Sequence, residues 1–238
     1  MIDRTYTDDD HNFRENDPYA SAKYSWTIRK LSTLATGNSL LNVGCGAGHF
    51  SSIASSAGFE VTGIEPDPPA FGLALADAPP HSHVFNMSLA EFETKNQFDV
   101  VVVHDVLEHI DDDQSAMSKI IRLTKPGGLI IGSVPALQFL FGMHDEKLGH
   151  HRRYSRHELQ QLLASYLGSF SVRYYGLLGI PIALAFSRLL RKPYPMGSGE
   201  TTWSLSSRLF RLICEAEARV TVPIGSSLLF WGRPKEDE

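Results

Sequence analysis

A short apolar run, Leu40-Leu41-Asn42-Val43, passes directly into Gly44-Cys45-Gly46-Ala47-Gly48, placing three glycines at alternate positions where a strand should end. Glycine tolerates positive φ and carries no side chain. A ligand can therefore lie against bare backbone where a helix begins and its first amides lack partners. A second apolar run, residues 60–64, delivers Glu65 to the same rim, where a carboxylate can accept hydrogen bonds from two ribose hydroxyls. Together these features predict a strand–turn–helix unit holding a nucleoside-bearing cofactor. The spacing is not that of a dinucleotide fingerprint, whose third glycine would fall at His49; here it comes one residue early, at Gly48.

The rest of the chain fits the same architecture. Strand patterns at 39–43, 60–64, 83–86 and 98–104 alternate with helix patterns at 48–57, 68–76 and 113–123, as in a parallel sheet. The four consecutive valines Val100 to Val103 suit a central strand apolar on both faces. Strands at 129–134, 169–175 and 226–232 bring the total to seven, and a further helix is expected from Ser155 or Arg156 to Tyr166. The expected fold class is therefore α/β, a Rossmann-like seven-stranded sheet flanked by helices.

Residues 1–38 read as a polar, acidic tail, including Asp8 to Asp10, and an entry helix with Tyr24, Ile28, Leu31 and Leu34 at helical spacing. Residues 39–135 form the nucleoside-binding core. Residues 136–238 hold a lid or acceptor region and the last strands, all within a single domain. The stretch 176–223 is too long for a hairpin, so it is an insertion before the last strand, with two helical patterns and the link Pro193 to Gly199.

Composition limits the partners. A net charge of -5 over 238 residues gives no broad basic surface for nucleic acid. Two cysteines without metal-ligand spacing, and no apparent leader, predict a reduced, cytoplasmic protein. No pattern predicts a metal: the histidines and acids of residues 144–154 lack an HExxH-like pair or a cysteine partner. The apolar stretch 177–186, followed by Arg188, Arg191 and Lys192, is too short to span a bilayer. Segment 177–192 either packs as core or lid, or lies against the inner face of a membrane.

Two longer motifs, FDVVVVHDVLEHIDD from Phe98 and LTKPGGLIIGSVP from Leu123, follow the glycine loop. Together the three resemble class I S-adenosylmethionine-dependent methyltransferases, including the ubiquinone-type O-methyltransferases, over residues 39–135. The resemblance implies S-adenosylmethionine as cofactor and a small-molecule acceptor. It implies that Gly44, Gly46 and Gly48 line the methionine and ribose portions, Glu65 holds the ribose diol, and His104 lies beside the sulfonium. Ser88 stands where many relatives carry an aspartate for the adenine amino group, and the Leu89 amide could serve adenine N1. Cys45, Pro66 and Asp105 flank these positions and join the cofactor set, and Arg29 on the entry helix could pair with the cofactor carboxylate.

Methyl transfer from a sulfonium depends largely on positioning, but a neutral nucleophile must also lose a proton. His104 and His109 are the candidate general bases; each could instead only pack, His104 on the cofactor and His109 on the following helix. On the acceptor side, Tyr24, His144, His151, Arg152, Arg153 and Tyr154 are candidates, since paired guanidinium groups suit a phosphate or carboxylate. The alternative for that cluster is a loop whose charges cap helices and meet solvent. A lipid-linked or isoprenoid-like acceptor is expected if segment 177–192 meets lipid. Two other functions remain: a scaffold that keeps the fold without catalysis, and a nicotinamide oxidoreductase, which His49 disfavours.

Overall fold

The computed structural model describes residues 17–190 and 205–235. The tail acids Asp8 to Asp10, the basic pair Arg191 and Lys192, and the link Pro193 to Gly199 lie outside the described residues.

Helix α1, Pro18–Leu34, starts where Asp17 accepts the Tyr19 amide at 2.9 Å and proline occupies the first turn, which has no use for its missing N–H. Its inward stripe is Ala20, Lys23, Thr27 and Leu31, flanked by Ala22 and Trp26. That stripe is displaced around the helix from the one the sequence spacing predicted, since Tyr24, Ile28 and Leu34 are only partly buried at its margin.

Five strands and three helices follow: β1 Ser39–Val43, α2 His49–Ser56, β2 Glu60–Ile64, α3 Pro68–Ala76, β3 His83–Phe85, β4 Phe98–His104, α4 Asp113–Leu123 and β5 Thr124–Pro135. Helix α5 (Met143–Leu148), α6 (Arg156–Tyr166), β6 (Leu167–Tyr175), α7 (Gly179–Ile182) with a π-helical continuation (Ala183–Leu189), α8 (Leu205–Glu217) and β7 (Ser227–Pro234) complete it. The sheet runs β3-β2-β1-β4-β5-β7-β6. Strands β1 to β5 are parallel, and β7 runs antiparallel between β5 and β6. Strand order reverses between β1 and β4, so the crevice beyond their carboxyl ends is where such a sheet holds a ligand.

The valines of β4 show why both faces are covered. Val101 and Val103 pack with Met117, Ile120, Leu159 and Leu163 on one side. Val100 and Val102 pack with Trp26, Leu31, Phe50 and Tyr175 on the other. Strand β5 begins earlier than predicted, because Thr124 pairs with Phe98 before the register slips and Leu129 pairs with Val100. The Lys125-Pro126-Gly127-Gly128 stretch is accommodated within that shift and does not precede the strand as a separate turn.

The insertion is tied back to the core. Glu217 of α8 accepts the amides of Gly176 and Leu177 at 3.0 and 2.9 Å, α8 packs on α1, and the π-helical segment packs on α5 and the turn Gln138–Leu140. Among the described residues, no helix is long and apolar enough to cross a membrane.

Candidate functional site

The loop after β1 is shaped by two glycines. Gly44 has φ +63°, and a Cβ there would come within 2.7 Å of Val106 Cγ2. Gly46 has φ +55° with no atom within 4 Å of its would-be Cβ, so open space lies above that backbone. The loop is pinned on both sides: the Cys45 amide donates to the Ile64 carbonyl at 3.0 Å, and the Gly48 amide to the Cys45 carbonyl at 3.0 Å. Glu65, buried at the end of β2, accepts the Gly46 amide at 2.8 Å and the Asp67 amide at 3.0 Å. Burial, with the Glu65 charge adding to it, pushes the Cys45 thiol up to about 12, so it is no nucleophile. The hollow over the loop is walled by Tyr24, Asn42, His49, Phe50, His104 and Asp105. A wider hollow bounded by Ser39, Glu60, Lys95 and Lys125 lies at the opposite ends of the strands, away from the glycine loop.

Beside the loop stands a polar network that only partly belongs to the predicted set. Asp105 has φ +53°, a strained conformation for a residue with a side chain. The Asp105 amide donates to the Ser133 carbonyl at 2.9 Å, and its carboxylate accepts the Ser133 hydroxyl at 2.8 Å and the Lys23 ammonium. Burial works to raise the Asp105 carboxyl, but the Lys23 charge and hydrogen bond outweigh it and hold the group below the usual carboxylate range. Lys23 is likewise held above the usual amine range by Asp105, against the effect of its own burial. The lysine is buried, while the aspartate side chain keeps 42% of its surface open. His104 sits between Thr27 Oγ1 at 2.9 Å and Ser133 Oγ at 3.1 Å. Burial, reinforced by the nearby Lys23 charge, pushes it down to about 3, so its ring is neutral near pH 7. With both ring nitrogens engaged and little basicity, His104 is poorly suited to the general-base role considered above, and the packing alternative fits better.

Lys23, Thr27 and Ser133 were missed by sequence reasoning. The signal for the first two was spacing: 20, 23, 27 and 31 make a helical stripe, and a lysine on it has to find a partner.

The remaining candidates divide. Tyr24 faces the hollow, its ring 5.3 Å from Phe50 and 5.7 Å from His104, centroid to centroid. Arg29 is exposed and lies two residues round the helix from Thr27, whose side chain meets His104, so it leaves α1 on the other side from that contact. The Ser88 hydroxyl donates to Glu91 at 2.7 Å in a local turn, and the Leu89 side chain enters the core, so the adenine expectation for Ser88 meets a competing partner. The Pro66 carbonyl accepts the Asn86 amide group at 3.2 Å.

The pair expected to hold an anion is occupied internally. Arg152 pairs with Asp113 at 3.1 Å and Asp111 at 3.4 Å, and buried Arg153 pairs with Asp145 at 2.8 Å. Tyr154 is buried, its hydroxyl donating to Asp113 at 2.8 Å, and burial followed by that bond pushes its phenol up. These three residues brace the connection after β5, so the guanidinium groups expected to meet an anion already have carboxylate partners. His144 is half-buried on α5, and His151 is exposed with its amide donating to the Glu108 carbonyl at 2.8 Å. The structure also joins His109 to His150, ring centroids 4.6 Å apart, beside Glu108. The sequence concealed that grouping because its members come from two segments.

The hollow suits S-adenosylmethionine chemically. Backbone without side chains lies at the loop, a carboxylate stands at the end of β2, and the aromatic faces of Tyr24 and Phe50 wall the hollow, a surface suited to a sulfonium.

Comparison with known proteins agrees. Residues 14–166 match a family model described as a methyltransferase domain. An uncharacterized methyltransferase of Mycobacterium ulcerans is 34% identical over 129 residues, covering 53% of this chain and 50% of its own length. One from Mycobacterium tuberculosis H37Rv is 33% identical over 118 residues, covering 48% and 46%. The chain thus spans about half the length of the curated relatives it matches. Among solved structures, the N-methyltransferase NodS of Bradyrhizobium japonicum with S-adenosyl-L-homocysteine superposes at TM-score 0.60, with 17% identity over 97% of this chain and 94% of that one. The plantazolicin methyltransferase BpumL with the same ligand gives 0.61, at 14% identity over 96% and 89%. At these identities the structural likeness is one of fold.

Proposed function

This chain belongs to the methyltransferase domain family, and from that premise we propose that it is an S-adenosylmethionine-dependent enzyme that methylates a hydroxyl of a small-molecule acceptor. The observation that carries the reading is the glycine loop, with Gly44 and Gly46 at positive φ beneath an open hollow and Glu65 at its rim. When bound, S-adenosylmethionine supplies an electrophilic methyl group on a sulfonium.

The chain's own residues then have distinct tasks. Gly44 and Gly46 let the cofactor approach the backbone, Gly48 lets the loop close against Ala74 of α3, and Glu65 exchanges amide contacts for ribose hydroxyls. Tyr24, Phe50 and neutral His104 wall the hollow and exclude water. Asp105, ionised and partly open, offers a hydrogen-bond acceptor at the rim of the hollow, and Lys23 fixes its position and offsets its charge. His104 does not take the acceptor's proton in this reading, because Thr27 and Ser133 hold both of its nitrogens. An acceptor with an apolar, lipid-like part is favoured by Leu189, Leu190, Leu209 and Leu212, which are exposed on the π-helical segment, its end and α8.

The test is incubation with methyl-labelled S-adenosylmethionine and host extract, followed by separation into lipid, small-molecule, protein and nucleic-acid fractions. Label should enter the lipid or small-molecule fraction. Glu65→Ala should weaken S-adenosylhomocysteine binding about tenfold or more, the scale of lost charge-assisted hydrogen bonds. Binding too weak to measure in the wild-type protein, or label confined to protein or nucleic acid, would defeat the proposal.

A further inference from the structure

Glu108 is fully buried in the turn after β4, and neither of its carboxylate oxygens has a hydrogen-bond partner among the described residues. A buried carboxylate without partners is costly, and such a group calls for an explanation in an unseen ligand or ion. The side chains around it supply one. His150 Nε2 stands 4.0 Å from Glu108 Oε1, and the His109 ring lies edge to face with His150 at 83°. The ligand atoms of Glu108, His109 and His150 all lie within 4.8 Å of one another.

The other side of His150 is equally specific. Its Nδ1 is 2.9 Å from Asp145 Oδ1, and Asp145 is itself buried, paired with Arg153 at 2.8 Å and accepting the Gly142 amide at 3.1 Å. A carboxylate on one imidazole nitrogen fixes the tautomer and aims the other nitrogen, which is how metal-bound histidines are usually held. Here the aimed nitrogen points toward Glu108.

We propose that Glu108, His109 and His150 bind a divalent transition-metal ion, with Asp145 and Arg153 orienting His150. Two imidazoles and one carboxylate suit zinc, iron(II), cobalt or nickel better than calcium or magnesium, which prefer oxygen ligands. Ligands about 2.1 Å from one ion lie at most about 4.2 Å apart, so the cluster closes with side-chain shifts of under about 1 Å. Three protein ligands leave at least one coordination position open. The site begins three residues after Asp105, and its open position takes an acceptor oxygen; that role rests on the methyltransferase reading, whereas ion binding rests on these side chains alone.

The experiment uses full-length protein freed of any affinity tag, stripped with chelator and titrated with Co²⁺ by visible absorption and with Zn²⁺ by calorimetry. One ion per chain should bind, with ligand-field bands of nitrogen and oxygen coordination. Glu108→Gln and His150→Gln should each weaken binding tenfold or more, and His157→Asn, at an exposed position on α6, should not change it. Should Glu108→Gln fail to fold, His109→Gln at a half-exposed position serves as the second variant. Absence of saturable binding, or equal affinity in the wild type and the cluster variants, would overturn the assignment. Neither readout needs turnover, so failure here is distinct from failure of the methyl-transfer proposal.

Discussion

At the residue scale, His104 is a histidine whose environment reverses the expectation its type creates. Its imidazole is buried between Thr27 and Ser133 and faces the charges of Lys23 and Asp105. With the folded value near 3 and an ordinary histidine near 6.5, the unfolded chain takes up the proton first as pH falls. His104 therefore withdraws stability on acidification below about 6.5, by at most about 1.4 kcal/mol per pH unit. Urea melts at pH 7 and pH 5 should show a loss that shrinks in His104→Asn, and an equal loss in both proteins would refute the burial argument. The histidine was visible in the sequence. Its two partners were not, because they come from α1 and β5, and their approach depends on how those elements stack.

At the element scale, capping and periodicity carried most of the information. Ser155 and Glu158 form a reciprocal cap at the start of α6: the Ser155 hydroxyl accepts the Glu158 amide at 3.2 Å, and the Ser155 amide donates to the Glu158 carboxylate at 2.8 Å. Such a cap is readable from a serine three residues before a glutamate. Ser155→Ala should cost about 1 kcal/mol in chemical denaturation, and an unchanged midpoint would show that the cap contributes nothing. Arg152 and Arg153 carry no such local signal of their partners. Adjacent arginines suggest an anion, but Asp111 and Asp113, before and at the start of α4, pair with Arg152, and Asp145 of α5 pairs with Arg153. Ser88 shows the converse, since its partner Glu91 stands three residues away and the turn was legible though unread.

At the scale of the whole molecule, the sheet is a partition between two apolar layers, and β4 serves both. Val102→Ala removes two methyl groups at a fully buried site and should cost about 2 kcal/mol or more, whereas Ile53→Ala on the outer side of α2, 40% exposed, should cost less than about 1 kcal/mol. Comparable losses at both sites would show that β4 is not the centre of the core. The order of strands and helices, the glycine loop and the acidic residue after β2 could all be read along the chain, because each depends on neighbours in sequence and on the period of two or 3.6 residues. Only the tertiary structure brought Lys23 to Asp105, paired the arginines with their acids, and gathered Glu108, His109 and His150. Those pairings depend on which faces of distant elements meet. For Lys23 and Asp105, burial and the facing charge then act on the ionisation of each, through a partner that has no counterpart in local sequence.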